Sequence, residues 1–266
     1  MRLTVFALII VLLTVQAFSQ EQFGIASSNY APTNSMFLNP ASIAGSHAYR
    51  DFNIVGASLF FDNDLVFLSK DDFKLTRGVS QFEDNVPNPV HNSESFEKHG
   101  YADVMVQGPS FSGVFGRWAF GIHTAARSVV DFRGVSPEMG SFIFEGLDYE
   151  PQQGVHYEED DVRVNGMAWA EAGITVGRVL VQKNQHMLSA AITPRRLVGI
   201  GGGAMRLNNL SFQVGDSSFF NLDNLSAEAG YAMPDWNSGR GWGFNLGFTY
   251  KRMKEDVSNH RPFSRQ

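Results

Sequence analysis

The chain has 266 residues, 43% hydrophobic and 18% charged, with 26 Gly, 23 Phe, no Cys and a formal net charge of −6. This hydrophobic content excludes a disordered chain, and the missing thiols exclude disulfide scaffolds, iron–sulfur clusters, thiolate zinc sites and cysteine nucleophiles. Nucleic acid selects basic surfaces, so the acidic balance argues against a nucleic-acid partner.

The first element is a targeting segment. Arg2 supplies a positive start, residues 3–15 form a nearly unbroken apolar run, and Ala17-Phe18-Ser19 places small residues at a cleavage site. That pattern predicts a cleaved secretory signal peptide over 1–19, because the run is shorter than the roughly 20 residues of a membrane-spanning helix. No later run is long and apolar enough for such a helix. A membrane crossing would have to be made by strands closed into a barrel.

Residues 20–48 read as an irregular leader, rich in the turn formers Asn29, Pro32, Asn34, Asn39, Pro40 and Gly45. Two apolar patches, Phe23-Gly24-Ile25 and Met36-Phe37-Leu38, are suited to docking. From 49 to 266 the texture is that of strands. Alternation predicts strands at 52–61, 111–115, 117–127, 169–181, 187–196, 205–214, 227–233 and 241–251, with tight turns at Gly116 and at Lys183-Asn184. The clearest is 241–251. Trp242, Phe244, Leu246, Phe248 and Tyr250 share one face, while Gly243, Asn245, Gly247, Thr249 and Lys251 share the other. An aromatic face backed by a small, polar face suits a barrel wall between lipid and lumen. Residues 70–100 and 134–165 read as long polar loops.

The remaining motifs carry no chemistry by their spacing. Asp62-Asn63-Asp64 reads as a hairpin tip and Glu158-Glu159-Asp160-Asp161 as a solvated loop, since neither has the ligand spacing of a calcium loop. The seven His are dispersed, and His123 reads as a polar lining residue. Gly199-Ile200-Gly201-Gly202-Gly203 precedes strand-like sequence instead of a helix, so it reads as a bend or bulge and not as a phosphate loop. Catalytic residues, metal ligands and cofactors are therefore not expected, and the chain does not read as an enzyme.

The leader sharpens this. Phe23-Gly24-Ile25-Ala26-Ser27-Ser28-Asn29-Tyr30-Ala31, followed by Met36-Phe37-Leu38-Asn39-Pro40-Ala41-Ser42-Ile43-Ala44, resembles the start of an uncharacterised family of Bacteroidota outer-membrane β-barrels. The Asn39-Pro40-Ala41 element also resembles the N-terminal segment of the long-chain fatty-acid channel class and of the related barrel that serves the type IX secretion system. The resemblance implies an all-β fold: an antiparallel transmembrane β-barrel over 49–266, with 20–48 as a leader or plug inside or against it. It implies an outer-membrane location, outer-membrane lipid as surroundings, and a role in passage or capture of an apolar small molecule or in service to secretion or surface proteins. Members of that family are longer, so closure of the barrel within this chain is not implied.

Asn39, Pro40 and Ala41 are the structural motif singled out. Pro40 locks its own φ and biases Asn39 to an extended backbone, and the Asn39 side chain can bond nearby backbone groups. An ordinary turn would use the same residues. The alternative architecture is a secreted soluble β-sandwich, a binding or adhesion module that buries Trp242, Phe244 and Phe248 between two sheets.

Overall fold

The computed structural model of the chain describes residues 26–28, 30–68, 89–91, 96–146, 153–215, 220–234 and 239–252. The expected signal peptide and the Phe23-Gly24-Ile25 patch lie outside them, as does most of the expected 70–100 loop.

The described chain is mostly antiparallel β structure with few helices. It begins with α1 (Pro32–Leu38) and a 3-10 helix (Pro40–Gly45). Four strands follow, β1 (Arg50–Asn53), β2 (Gly56–Asn63), β3 (Val66–Leu68) and β4 (Pro89–His91). Then come β5 (Lys98–Gln107), β6 (Ser110–Phe115), β7 (Trp118–Val135), α2 (Pro137–Glu145) and β8 (His156–Glu159). The long strands β9 (Val162–Lys183) and β10 (His186–Val214) precede β11 (Phe220–Ala232) and β12 (Arg240–Arg252). All but β3 and β4 form one ten-stranded sheet.

Three strands of 18, 22 and 29 residues, β7, β9 and β10, form its spine. On the outer side of β10, β12 pairs with its first half and β11 with its second. On the outer side of β7, β6 pairs with residues 118–122 and β5 with residues 125–135. β1 extends β6 and β2 extends β5. The margins, β1 and β2 at one side and β11 and β12 at the other, are not joined among the described residues, so the sheet is open there and does not close into a barrel.

Alternation places strands well but not their ends or their partners. The stretch 52–61 is two strands, broken at Ile54-Val55 where the chain passes from the edge of β6 to the edge of β5. The stretches 187–196 and 205–214 are one strand. The Gly199–Gly203 run absorbs a register shift between Gly199 and Gly201 without ending β10, because β9 on one side holds the ladder on both sides of it. Gly116, at φ +63°, makes the tight turn between β6 and β7.

Four loop expectations are corrected. The stretch 134–165 holds α2, β8 and the start of β9, and the stretch 70–100 ends inside β5. The Asp62-Asn63-Asp64 turn does not join paired strands, since β2 pairs with β5 and β3 with β4. The acidic run at 158–161 is a solvated loop only in part, since Glu158 and Glu159 end β8 while Glu158 and Asp160 are exposed. Glu159 is buried and accepts from the Ser136 backbone N–H at 3.1 Å and from the Ser136 hydroxyl. Ser136 in turn caps α2 by accepting from Met139 N–H at 3.0 Å. Asp161 is held down to about 2 by its hydrogen bond to the Arg163 guanidinium, with Arg206 adding to it.

The leader is corrected too. It forms two short helices that lie on one face of the sheet, and the core sits between them: Met36, Ile43 and Ala44 from the leader against Val114, Ala119, Val179 and Met187 from the strands. Asp51 of β1 accepts from Thr33 N–H at 3.0 Å and Thr33 Oγ1 at 2.6 Å, which puts a carboxylate at the positive end of α1 where Ala31 offers no cap. Gly177 and Gly247 let the leader approach the sheet. A Cβ on Gly177 would meet the Ala44 Cβ at 3.4 Å, and one on Gly247 would meet Pro40 Cδ at 2.8 Å and Ala41 N at 2.9 Å.

Two outcomes follow. Gly247→Ala forces Asn39 and Pro40 off the sheet at a cost of about 1–3 kcal/mol. Proteolysis will then cut 31–46 faster while the β signal in circular dichroism is unchanged. Burial, the largest effect, pushes the Glu159 carboxyl up against the opposing Ser136 hydrogen bonds. The protonated form is thus the one the fold prefers, and this contribution is fully present below the unfolded carboxyl pKa and lost as pH rises through the folded one. Resistance to urea will be greater at pH 4 than at pH 7.5 by a margin that shrinks in Glu159→Gln.

Candidate functional site

Each long strand has two faces of opposite chemistry. On the face away from the leader, Trp242, Phe244, Leu246, Phe248 and Tyr250 of β12 are 61–70% exposed. Their register partners on β10 are Arg196, Pro194, Ile192, Ala190 and Leu188. Ile174 and Val176 of β9 continue the face, then Trp118, Phe120 and Ile122 of β7, then Phe111 and Phe115 of β6, and finally Phe52 of β1. This is a continuous apolar surface.

Outside the apolar core under the leader, the leader face is mainly small and polar. Thr175 and Thr193 are fully buried and share a hydrogen bond of 2.7 Å. Just beyond α1 a charged row crosses the strands. Asp103 of β5 pairs with Arg127 of β7 at 3.2 Å, and Glu171 of β9 with Arg195 of β10 at 3.0 Å. Trp169 joins them, with Arg127 6.0 Å from its ring centroid and its indole N–H donating to Glu171 at 3.3 Å. His123 is buried beside this row, with Nε2 3.9 Å from Glu171 and its ring 4.6 Å from that of Phe37 in an edge contact. The row thus touches the leader through Phe37. Glu171 Oε1, His123 Nδ1 and Arg195 Nε have no hydrogen-bond partner among the described residues.

The motif singled out in sequence sits at the leader's point of attachment. Asn39 is extended, at φ −148° and ψ 109°, which ends α1 before Pro40. Its Oδ1 accepts from Ala41 N–H at 3.0 Å and starts the 3-10 helix, while its Nδ2 donates to the Phe248 carbonyl of β12 at 3.0 Å. Pro40 and Ala41 are buried. The Ala41 carbonyl accepts from Ser189 Oγ at 3.3 Å, and the Gly45 carbonyl accepts from Lys251 Nζ at 2.9 Å. These bonds anchor the leader to β10 and β12, about 150 to 210 residues away in sequence.

A third feature escaped sequence reading altogether. Where β1 meets β2 and β6 meets β5, the apolar face carries a groove of about 530 Å³. Ile54, Val55, Val106 and Pro109 wall it, and the floor is made of Thr124, Ala126, Ala170 and Ala172. Small residues at register-paired positions leave space that larger ones fill elsewhere on this face. No cluster of His, Cys, Asp or Glu among the described residues could hold a metal ion.

Residues 40–260 match a protein family described as a family of unknown function (DUF5723). No curated protein and no solved structure matches the chain.

The buried ion pair at Glu171 sets a measurable cost. Glu171→Ala leaves the Arg195 guanidinium uncompensated and will lower unfolding stability by about 3–5 kcal/mol. Arg195→Ala introduced into that variant will cost less than in the wild type, as a double-mutant cycle will read.

Proposed function

The chain belongs to the family of unknown function DUF5723, and from its geometry we propose that it works as an outer-membrane β-barrel protein whose leader occupies the lumen side of the wall. The observation that carries the reading is the pairing of an exposed aromatic face with a buried polar one. Trp242, Phe244 and Phe248 are 65%, 66% and 68% exposed, whereas Ser189, Thr175 and Thr193 on the opposite face are at most 1% exposed. Water is a poor solvent for such an aromatic surface, and lipid is a good one. A soluble sandwich would bury those three aromatics against a second sheet.

Two further features support it. The stretches 118–126, 170–181, 186–198 and 240–252 meet the 9–11 residues a tilted strand needs. The leader's resemblance to Bacteroidota outer-membrane barrels, and its Asn39-Pro40-Ala41 element to those of the fatty-acid channel class, points the same way.

On this reading the task is passage or capture of an apolar small molecule, or service to secretion or surface machinery. The groove at the strand junction favours capture, because it opens on the lipid-facing side and is walled by apolar residues. The reading assigns no catalytic group. Asp103 and Glu171, the buried carboxylates of the charged row, are held by Arg127 and Arg195.

Cell fractionation tests it. The mature protein will sediment with the outer membrane and need detergent for release; recovery as a soluble periplasmic monomer overturns the proposal. Position-specific substitution adds a second check. Leu246→Arg, on the aromatic face, will cost about 2–4 kcal/mol near the bilayer midplane and deplete the assembled protein. Met167→Arg, on the leader face but already 55% exposed, will assemble like the wild type.

A further inference from the structure

The arginines of the two faces are treated differently. On the leader face Arg127 and Arg195 are each neutralised by a buried carboxylate. On the aromatic face Arg178 and Arg196 have no carboxylate partner among the described residues. Each instead lies over an indole, Arg178 4.9 Å from the Trp118 centroid and Arg196 5.2 Å from that of Trp242. Stacking occupies the flat face of a guanidinium and leaves its N–H edge open to an oxyanion. Arg196 also borders the groove, beside Ile54, Val106, Ala126, Ala170 and Val198. Glu171 borders it as well, but its side chain is fully buried and bonded to Arg195 on the other face. Arg196 is therefore the one charge the groove presents to the lipid side.

We propose that this groove is a binding site for one anionic phospholipid of the surrounding membrane, with its phosphate on the Arg196 guanidinium and an acyl chain along the apolar walls. The inference rests on the outer-membrane reading and names the class of molecule captured. Charge complementarity selects the occupant. A neutral apolar molecule would fill the walls but leave a cation uncompensated in a low-dielectric surface, which is costly. A zwitterionic lipid brings its own ammonium beside the phosphate and gains less. An anionic lipid matches both parts, since a guanidinium fork fits two phosphate oxygens at once. The volume, about 530 Å³, lies within the range of about 300–1,000 Å³ typical of ligand pockets.

The test uses the full chain purified in a neutral detergent and titrated with dioleoyl phosphatidylglycerol or dioleoyl phosphatidylcholine, with bound lipid counted by native mass spectrometry. The wild type will hold the anionic lipid about tenfold more tightly than the zwitterionic one, the scale of a charge-assisted hydrogen bond. Arg196→Gln will erase that preference, Arg196→Lys will keep part of it, and Arg178→Gln, outside the groove, will leave it intact. Ala170→Phe, which fills the floor, will weaken both lipids. Inorganic phosphate competing as strongly as the lipid, with Ala170→Phe without effect, would mean that the site reads a free anion and would overturn the lipid assignment. A chain that needs detergent but holds both lipids equally, before and after Arg196→Gln, overturns the lipid site alone. A chain recovered soluble without detergent overturns the outer-membrane reading and the lipid site with it.

Discussion

Everything else in this structure depends on the close approach of the leader to the sheet. Two short helices, neither with enough turns to be stable alone, lie flat on strands that meet them with Gly177, Gly247, Ala119 and Ala191. Backbone meets backbone here, so hydrogen bonds can cross between elements that are far apart in sequence. Asn39 performs two tasks in that contact. Its carbonyl oxygen starts the 3-10 helix and its amide nitrogen reaches the Phe248 carbonyl. A larger side chain at either glycine would separate the surfaces and leave the buried backbone groups without partners.

The same contact explains why the two faces of the strands differ. The leader covers small, polar and some apolar residues, with Thr175 bonded to Thr193 beneath it and the pairs Asp103–Arg127 and Glu171–Arg195 just beyond α1. On the opposite face the large apolar side chains remain uncovered among the described residues. A soluble domain places its apolar side chains inward and its charges outward. Here an apolar core lies under the leader, yet a second, large apolar face stays exposed, and that exposure is the basis of the proposed reading of the sheet as a wall between lipid and a wet interior.

The sheet is not uniform. Where β6 hands over to β5 along β7, the neighbouring strands change identity, and Pro109 offers no backbone N–H to continue the ladder. Thr124, Ala126, Ala170 and Ala172 cluster at that level, so the break becomes a groove. The outward arginines Arg178 and Arg196 sit over Trp118 and Trp242 and have no carboxylate partner among the described residues. Strand pairing thus creates the space, and side-chain size and charge decide what fits it.

By itself the sequence determined the class of structure and the character of its faces. Strict alternation over 241–251 separates Phe and Trp from Gly, Asn and Thr because neighbouring strand residues point to opposite sides, and the same logic located the hairpin turns at Gly116 and Asn184. Asn39-Pro40-Ala41 was legible because Pro restricts its neighbour whatever the surroundings. Alternation says nothing about which strand is adjacent, so only the tertiary structure decided that 52–61 splits between two partners, that 187–214 is a single strand, and that residues 98–107 form β5. The helices of the leader also depended on it, since Asp51, Ser189 and Lys251 supply the caps and hydrogen bonds that residues 31–46 lack locally. The charged row and the groove were invisible for the same reason. Asp103, Arg127, Glu171 and Arg195 lie far apart along the chain and become neighbours only through the register of four strands.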